Sequence, residues 1–245
     1  MKVNIFQGHS PVLPSSNVNI VIDVIRAFTV AHYAFLGHAK EIILVGSSEE
    51  AFLLKTKYPR YLLAGETMGL PIEGFDLDNS PRRMAEADVA GETLVQKTTN
   101  GVRATLNALE ADAVFVTGFS NARKTAEFIK KSWSRDSTVN IIASHPDGDD
   151  DLACAEYIKS ILLGLESLSK EEAIRRIKGC QAAQKFFDPC KPQFDRQDIS
   201  YCVKELSGDF VMYVDCSEEL PKIVRLKLNE LHRIDFTQKR IKTSN

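Results

Sequence analysis

Short apolar runs alternate with helix-period segments along most of this chain. Val18 to Val24 is β-branched and apolar on both faces, as a strand buried within a parallel sheet should be. Ala27 to Leu36 follows with helical spacing and is closed by Gly37. The pattern then gives a strand at Ile42 to Val45, a helix at Glu49 to Lys57 and a short strand at Tyr61 to Ala64. Gly65 to Pro81, rich in glycine, proline and acids, interrupts the rhythm and reads as one long functional loop. Beyond it, strands at Thr93 to Lys97, Ala113 to Thr117 and Val139 to Ala143 alternate with helices at Val102 to Leu109, Ala122 to Lys131 and Leu152 to Leu165. With a further strand at Met1 to Phe6, the alternation predicts an α/β fold: a mainly parallel sheet with helices on both faces.

A faint echo runs through the pattern. Arg26-Ala27 opens one helix as Arg103-Ala104 opens another, and Glu41 to Val45 resembles Asp112 to Val116. If this is a duplication, Asp23 and Thr98-Thr99-Asn100 stand at equivalent strand ends. After Ser167 the pattern changes. Ser169 to Glu172 has the form of a capping box, helices run through Gln184, and Pro189 to Pro192 marks a turn. Phe210 to Val214 and Lys222 to Leu228 suit an antiparallel edge pair, and Arg233 to Asn245 is a polar tail expected to fray. One domain over residues 1–245 is expected, with its core in 1–165 and a divergent part in 166–232.

Composition narrows the function classes. A formal charge of −2 over 245 residues offers no global basic field for nucleic acid. No 18-residue apolar run marks a membrane span, and the first residues lack a signal-peptide core, so the cytoplasm is the expected location. The five cysteines, Cys154, Cys180, Cys190, Cys202 and Cys216, include no C-x-x-C pair and read as free thiols.

Candidate chemistry gathers at predicted strand ends. Lys97-Thr98-Thr99-Asn100-Gly101-Val102-Arg103 lies where a strand hands over to a helix, which makes it either an ordinary cap or a cradle of N–H groups for an anion. Asp23 and Arg26 follow a buried strand; they are either a structural pair or a cation-binding carboxylate beside an anion-gripping guanidinium. Glu66, Glu73, Asp76 and Asp78 share the long loop, where convergence of two or three would suit Mg²⁺ and solvation is the alternative. Ser80-Pro81 has the form of a helix start. Asp149 or Asp150 can cap the helix near Leu152, leaving Asp151 as the acid most suited to turn inward. Walker, dinucleotide-binding and nucleophile-elbow motifs are absent.

Taken together, Asp23-Val-Ile-Arg-Ala27, Gly65-Glu66, Gly74-Phe-Asp-Leu-Asp-Asn-Ser-Pro81, Thr98-Thr-Asn-Gly101 and Asn121-Ala122 occur in the order seen in the 2-phosphosulfolactate phosphatases, the ComB-like proteins. The chain resembles that family well over about residues 1–165 and loosely beyond. The resemblance implies a three-layer α/β/α fold and a Mg²⁺-dependent phosphatase that converts 2-phospho-3-sulfolactate to 3-sulfolactate on a coenzyme M route. Asp23, Arg26, Glu66, Asp76, Asn79, Ser80, Thr98, Thr99, Asn100 and Gly101 fall on its motif positions.

On that basis Asp23, Glu66 and Asp76 are expected to hold Mg²⁺, with Asp23 and Asp151 catalytic. Arg26, Asn79, Ser80, Thr98, Thr99, Asn100 and Gly101 are expected to bind substrate or phosphate. The partner implied is a small anionic phosphate ester, with no nucleic acid and no membrane; a homodimer is left open. Asp78, Val102, His145 and Glu156 depart from the family pattern. A phosphatase for a non-sulfonated ester and a non-catalytic anion binder are the alternatives.

Overall fold

The computed structural model describes residues 1–9, 12–165 and 167–228. Its strands are β1 (Lys2–Gln7), β2 (Val18–Ile22), β3 (Glu41–Leu44), β4 (Leu62–Thr67), β5 (Leu70–Pro71), β6 (Thr93–Lys97), β7 (Ala113–Thr117), β8 (Thr138–Ala143), β9 (Phe210–Asp215) and β10 (Lys222–Lys227). Its α-helices are α1 (Ala27–Leu36), α2 (Ser48–Lys57), α3 (Pro81–Glu86), α4 (Gly101–Leu106), α5 (Ala122–Ser132), α6 (Asp149–Leu163), α7 (Lys170–Gly179), α8 (Gln181–Gln184) and α9 (Arg196–Cys202).

The strands form one sheet in the order β1-β8-β2-β7-β9-β10-β3-β6-β4-β5. Two parallel half-sheets, β1-β8-β2-β7 and β3-β6-β4, are joined by the antiparallel β9–β10 hairpin. Alternate residues of β2 explain the helices on both faces. Ile20 and Ile22 pack with Phe119, Ala126, Ile129 and Ile158 from the α5–α6 side. Val21 packs with Phe28, Ala31, Val102 and Ala104 from α1 and α4. This is the three-layer α/β/α architecture expected.

The chain's two β-α-β-α segments follow the same path with the halves exchanged. The first starts at β2 in one half and crosses by α1 to β3 in the other; the second starts at β6 and crosses by α4 to β7. The exchange sets the ends of β2 and β6, hence Asp23 and Thr98 to Gly101, facing one another.

Two expectations are corrected. The β9–β10 pair is central rather than at an edge, because Phe210, Val211, Met212 and Val214 are buried on both faces of β9. The span from Gly65 is not all loop: β4 continues through Thr67 and turns back into β5. The turn residues Met68 and Gly69 have φ of 55° and 82°, the paired left-handed conformation of a two-residue hairpin. A methionine in the first of these positions gives little sequence signal.

Local capping is mixed. Ser47 and Glu50 form a full capping box on α2. At Ser169 only half of one forms: Ser169 accepts from the Glu172 N–H at 3.1 Å, while the Glu172 carboxylate pairs with Arg175. All five cysteines are free, with Cys154, Cys180 and Cys202 buried. The expected frayed tail lies outside the described residues.

Candidate active site

Asp23 is the hub. It lies one residue beyond β2 and is 6% exposed. Its Oδ1 accepts the N–H of Ala27 at 2.9 Å, and its Oδ2 accepts that of Gly101 at 2.9 Å. One carboxylate therefore joins the first turns of α1 and α4, where unpaired N–H groups and the helix dipoles favour negative charge. The approach demands glycine, since a Cβ on Gly101 would stand 2.6 Å from Asp23 Oδ2. Burial, with Asp150 and Glu66 nearby, pushes the Asp23 carboxyl up to about 7 against the pull of those two amides.

Glu66, at the end of β4, is likewise buried. It accepts the Thr99 N–H at 2.5 Å, the Thr99 hydroxyl at 3.0 Å and the Gly69 N–H at 2.5 Å. Thr99 Oγ1 also accepts from Met68 N at 2.8 Å, so the β4–β5 hairpin is stitched to the β6–α4 turn. Thr98 is a cap: its hydroxyl accepts the Val102 N–H at 3.0 Å. Asn100 is the N-cap residue of α4 and makes no side-chain cap bond. The N–H groups of Thr99 and Gly101 thus hold carboxylates of the chain itself.

Two more acids complete the cluster from α6. Asp151 accepts the Val24 N–H at 2.7 Å, the His145 N–H at 3.0 Å and the Ser144 hydroxyl at 3.0 Å. Burial and the neighbouring Asp150 and Asp23 hold it well above the usual carboxylate range. Asp150 is 2% exposed and its Oδ1 has no hydrogen-bond partner among the described residues. Burial raises it to about 6, against backbone amides and the positive charge of Lys185.

Positive charge enters beside these acids. Arg26 is 6% exposed, follows a cis Ile25–Arg26 peptide, and donates from Nη1 to Asp198 at 3.0 Å and from Nη2 to the Gly69 carbonyl at 3.0 Å. Its guanidinium stacks over Phe186 and Phe194. Asp198, fully buried on α9, also accepts the Ser80 hydroxyl at 2.6 Å. Burial outweighs these partners and leaves the Asp198 carboxyl above its ordinary range. Ser80 caps α3 through the Arg83 N–H, and Asn79 keeps a buried, unpartnered Oδ1.

Most of the residues singled out in the sequence meet here: Asp23, Arg26, Glu66, Ser80, Thr98, Thr99, Gly101 and Asp151. Asp76 does not. Its carboxylate accepts the Leu63 N–H at 2.8 Å and pairs with Lys55 at 3.0 Å, at the opposite end of β4 and about 10 Å along the strand from Glu66. Asp76 and Asp78 line a separate cavity of about 270 Å³.

Asp150, Asp198, Lys185, Phe186 and Phe194 join this cluster without a motif that singles them out in the sequence. Four lie in the divergent C-terminal part, where no motif marks them. The sequence offers Asp149 or Asp150 as a cap for α6, but the N-cap residue is Gly148 and no side chain caps this helix. Of the departures, Val102 is buried, Asp78 pairs with Arg83, and Glu156 shares Arg176 with Asp149.

No three His, Cys, Asp or Glu side chains among the described residues are grouped to hold a metal ion. A Mg²⁺ site needs less, since this ion usually keeps several waters and takes one or two carboxylates plus substrate phosphate. The unpartnered Asp150 Oδ1, buried among like charges, has the chemistry of such a ligand. No helix among the described residues is long and apolar enough to cross a membrane.

An α/β/α sheet with acids and helix N-termini massed at its strand ends is the framework of a phosphoric monoester hydrolase, the class to which comparison with known proteins assigns this chain. A family model described as 2-phosphosulpholactate phosphatase matches residues 7–216, and the chain belongs to that family. It is 58% identical over 226 residues to a Bacillus subtilis (strain 168) protein named "Probable 2-phosphosulfolactate phosphatase", covering 92% of this chain and 99% of that one. Proteins of the same name from Caldicellulosiruptor saccharolyticus and Clostridium beijerinckii are 40% and 30% identical, over 59% and 86% of this chain and 62% and 95% of theirs.

Proposed function

We propose that the chain hydrolyses 2-phospho-3-sulfolactate to 3-sulfolactate and phosphate in a Mg²⁺-dependent reaction. The observation that carries this reading is the buried group of Asp23, Glu66, Asp150 and Asp151 at the meeting of two helix N-termini. The near full-length similarity to a relative bearing the phosphatase name supports the substrate.

Asp150 Oδ1 and the Asp23 carboxylate are the groups that would hold Mg²⁺. When bound, the ion supplies charge neutralisation for the phosphoryl oxygens and a more acidic water. Asp23 fixes the two helix N-termini against each other, so that α1 and α4 present their dipoles to one spot. Glu66 and Thr99 hold the β4–β5 hairpin against that spot. Arg26, pinned by Asp198 and Gly69, sets a fixed, buried positive charge beside the cluster. Asp151 anchors the β2 and β8 ends by accepting from Val24, Ser144 and His145.

The test is release of phosphate from 2-phospho-3-sulfolactate with and without Mg²⁺. Activity should require the ion and fall at least 100-fold in Asp23→Asn. Full activity in EDTA, or in that variant, would remove the cluster from the chemistry.

A further inference from the structure

Arg26 and Lys185 share one pair of aromatic rings. The guanidinium carbon lies 5.0 Å from the Phe186 ring centre and 5.9 Å from that of Phe194; Lys185 Nζ lies 5.6 Å and 4.9 Å from the same rings. The two cations differ in what they have left to offer. Both terminal nitrogens of Arg26 already donate, one to Asp198 and one to the Gly69 carbonyl.

Lys185 makes no hydrogen bond or ion pair with any of the described residues, so its three donors are unspent. A free lysine usually extends its ammonium into water. Here Nζ is drawn in against the hairpin turn, 3.2 Å from where a Cβ on Gly69 would stand. Burial and the adjacent Arg26 hold its pKa below the ordinary lysine value, while Glu66, Asp150 and Asp23 act in the other direction. A partly desolvated ammonium beside a like charge is a site prepared for an incoming anion.

We propose that Lys185 Nζ contacts the acidic group that the substrate carries beside its phosphate ester, a sulfonate or carboxylate, and that Arg26 is a positioning residue. The assignment rests on the phosphatase reading above and adds the group that selects among phosphate esters. It places selectivity in the short α8 segment and the turn after it, outside the strand-end motifs.

Lys185→Met keeps the apolar stem and removes the charge; Lys185→Arg keeps the charge. Three esters are compared under Mg²⁺: 2-phospho-3-sulfolactate, 2-phospholactate and phenyl phosphate. Lys185→Met should raise KM for 2-phospho-3-sulfolactate at least tenfold while kcat changes less than threefold, and Lys185→Arg should restore most of the loss. The loss on phenyl phosphate should be at least fivefold smaller. A loss confined to the sulfonated ester assigns the sulfonate; one shared with 2-phospholactate assigns the carboxylate.

Equal loss on all three esters, or no loss, overturns the proposal. If the unaltered protein releases phosphate from none of them, the phosphatase reading fails by itself. Calorimetry with 3-sulfolactate then decides the role of Lys185: tenfold weaker binding in Lys185→Met supports it, and unchanged binding overturns it. Thermal melting of each variant separates these outcomes from unfolding.

Discussion

Arg26 and Asp198, 172 positions apart in the chain, form an ion pair at 3.0 Å with side-chain exposures of 7% and 0%. The pair fastens the residue that leads into α1 to α9, and so ties the C-terminal part of the chain to the strand-end cluster. Removing one member of such a pair strands a buried charge, which costs about 3–5 kcal/mol. Asp198→Ala should therefore lose about that much stability in urea unfolding. The double variant Arg26→Met with Asp198→Leu should lose less than either single change. A loss below about 1 kcal/mol in Asp198→Ala, the range of an exposed pair, would contradict this.

Gly101→Ala should damage both fold and activity. The new methyl would meet Asp23 Oδ2 at 2.6 Å, Asp23 Cβ at 2.8 Å and Ala27 Cβ at 3.0 Å. Overpacking of that kind costs about 1–3 kcal/mol. Displacing Asp23 by about an ångström should lower phosphate release on the order of 100-fold. Gly179→Ala, where a Cβ meets nothing within 4 Å, serves as the control and should leave activity unchanged and stability equal or slightly higher.

Asp150 should lower stability in the absence of a cation. Its folded pKa of about 6 lies above the ordinary 3.8, so the folded protein holds the extra proton as the pH rises through that window. Stability then falls between about pH 4 and pH 6, and the deficit is complete above pH 6. Asp150→Asn removes it and should raise the melting temperature at pH 8 by about 5 °C, for a gain of about 2 kcal/mol. MgCl₂ should raise the melting temperature of the unaltered protein and not that of the variant. A scanning-calorimetry series at pH 8, with and without Mg²⁺, reads both effects.

His32 should contribute acid sensitivity of the opposite sign. It is 1% exposed, its Nδ1 lies 2.8 Å from Ser120 Oγ, and burial lowers its pKa from 6.5 to about 4. Between those values the unfolded chain takes up the proton and the folded one does not, so stability falls as pH drops. The loss by pH 5 is about 2 kcal/mol. Melting curves from pH 7.5 to 4.5 should be flatter in His32→Gln than in the unaltered protein; parallel curves would refute the assignment.

The mainly parallel sheet was legible because β2, β6 and β7 are short, apolar on both faces and bounded by turn residues. The sequence places helix α1 to its last residue because Gly37 closes a run that is buried on every side. The cluster was partly legible for a physical reason: Asp23, Glu66 and the Thr98–Gly101 turn all lie at strand ends, where chain order fixes which residues meet. Asp76 misled because acids in one loop look alike until the Leu63 N–H and Lys55 claim one of them. Lys185 and Asp198 carry no such signal, because Lys185 meets the Phe194 ring and Asp198 meets Arg26 only through the fold. The hairpin's central place was equally hidden, since strand neighbours are chosen by tertiary packing and not by local pattern.

That placement has a consequence for biogenesis. Within the described residues, β9 and β10 form the only lateral strand pairing between the two halves, and they come after every other strand in the chain. Until they emerge from the ribosome, β7 and β3 each expose a bare apolar edge, open to other nascent chains. The hairpin is thus a keystone, and cells lacking holdase chaperones should accumulate this polypeptide as aggregates when translation stalls short of residue 210.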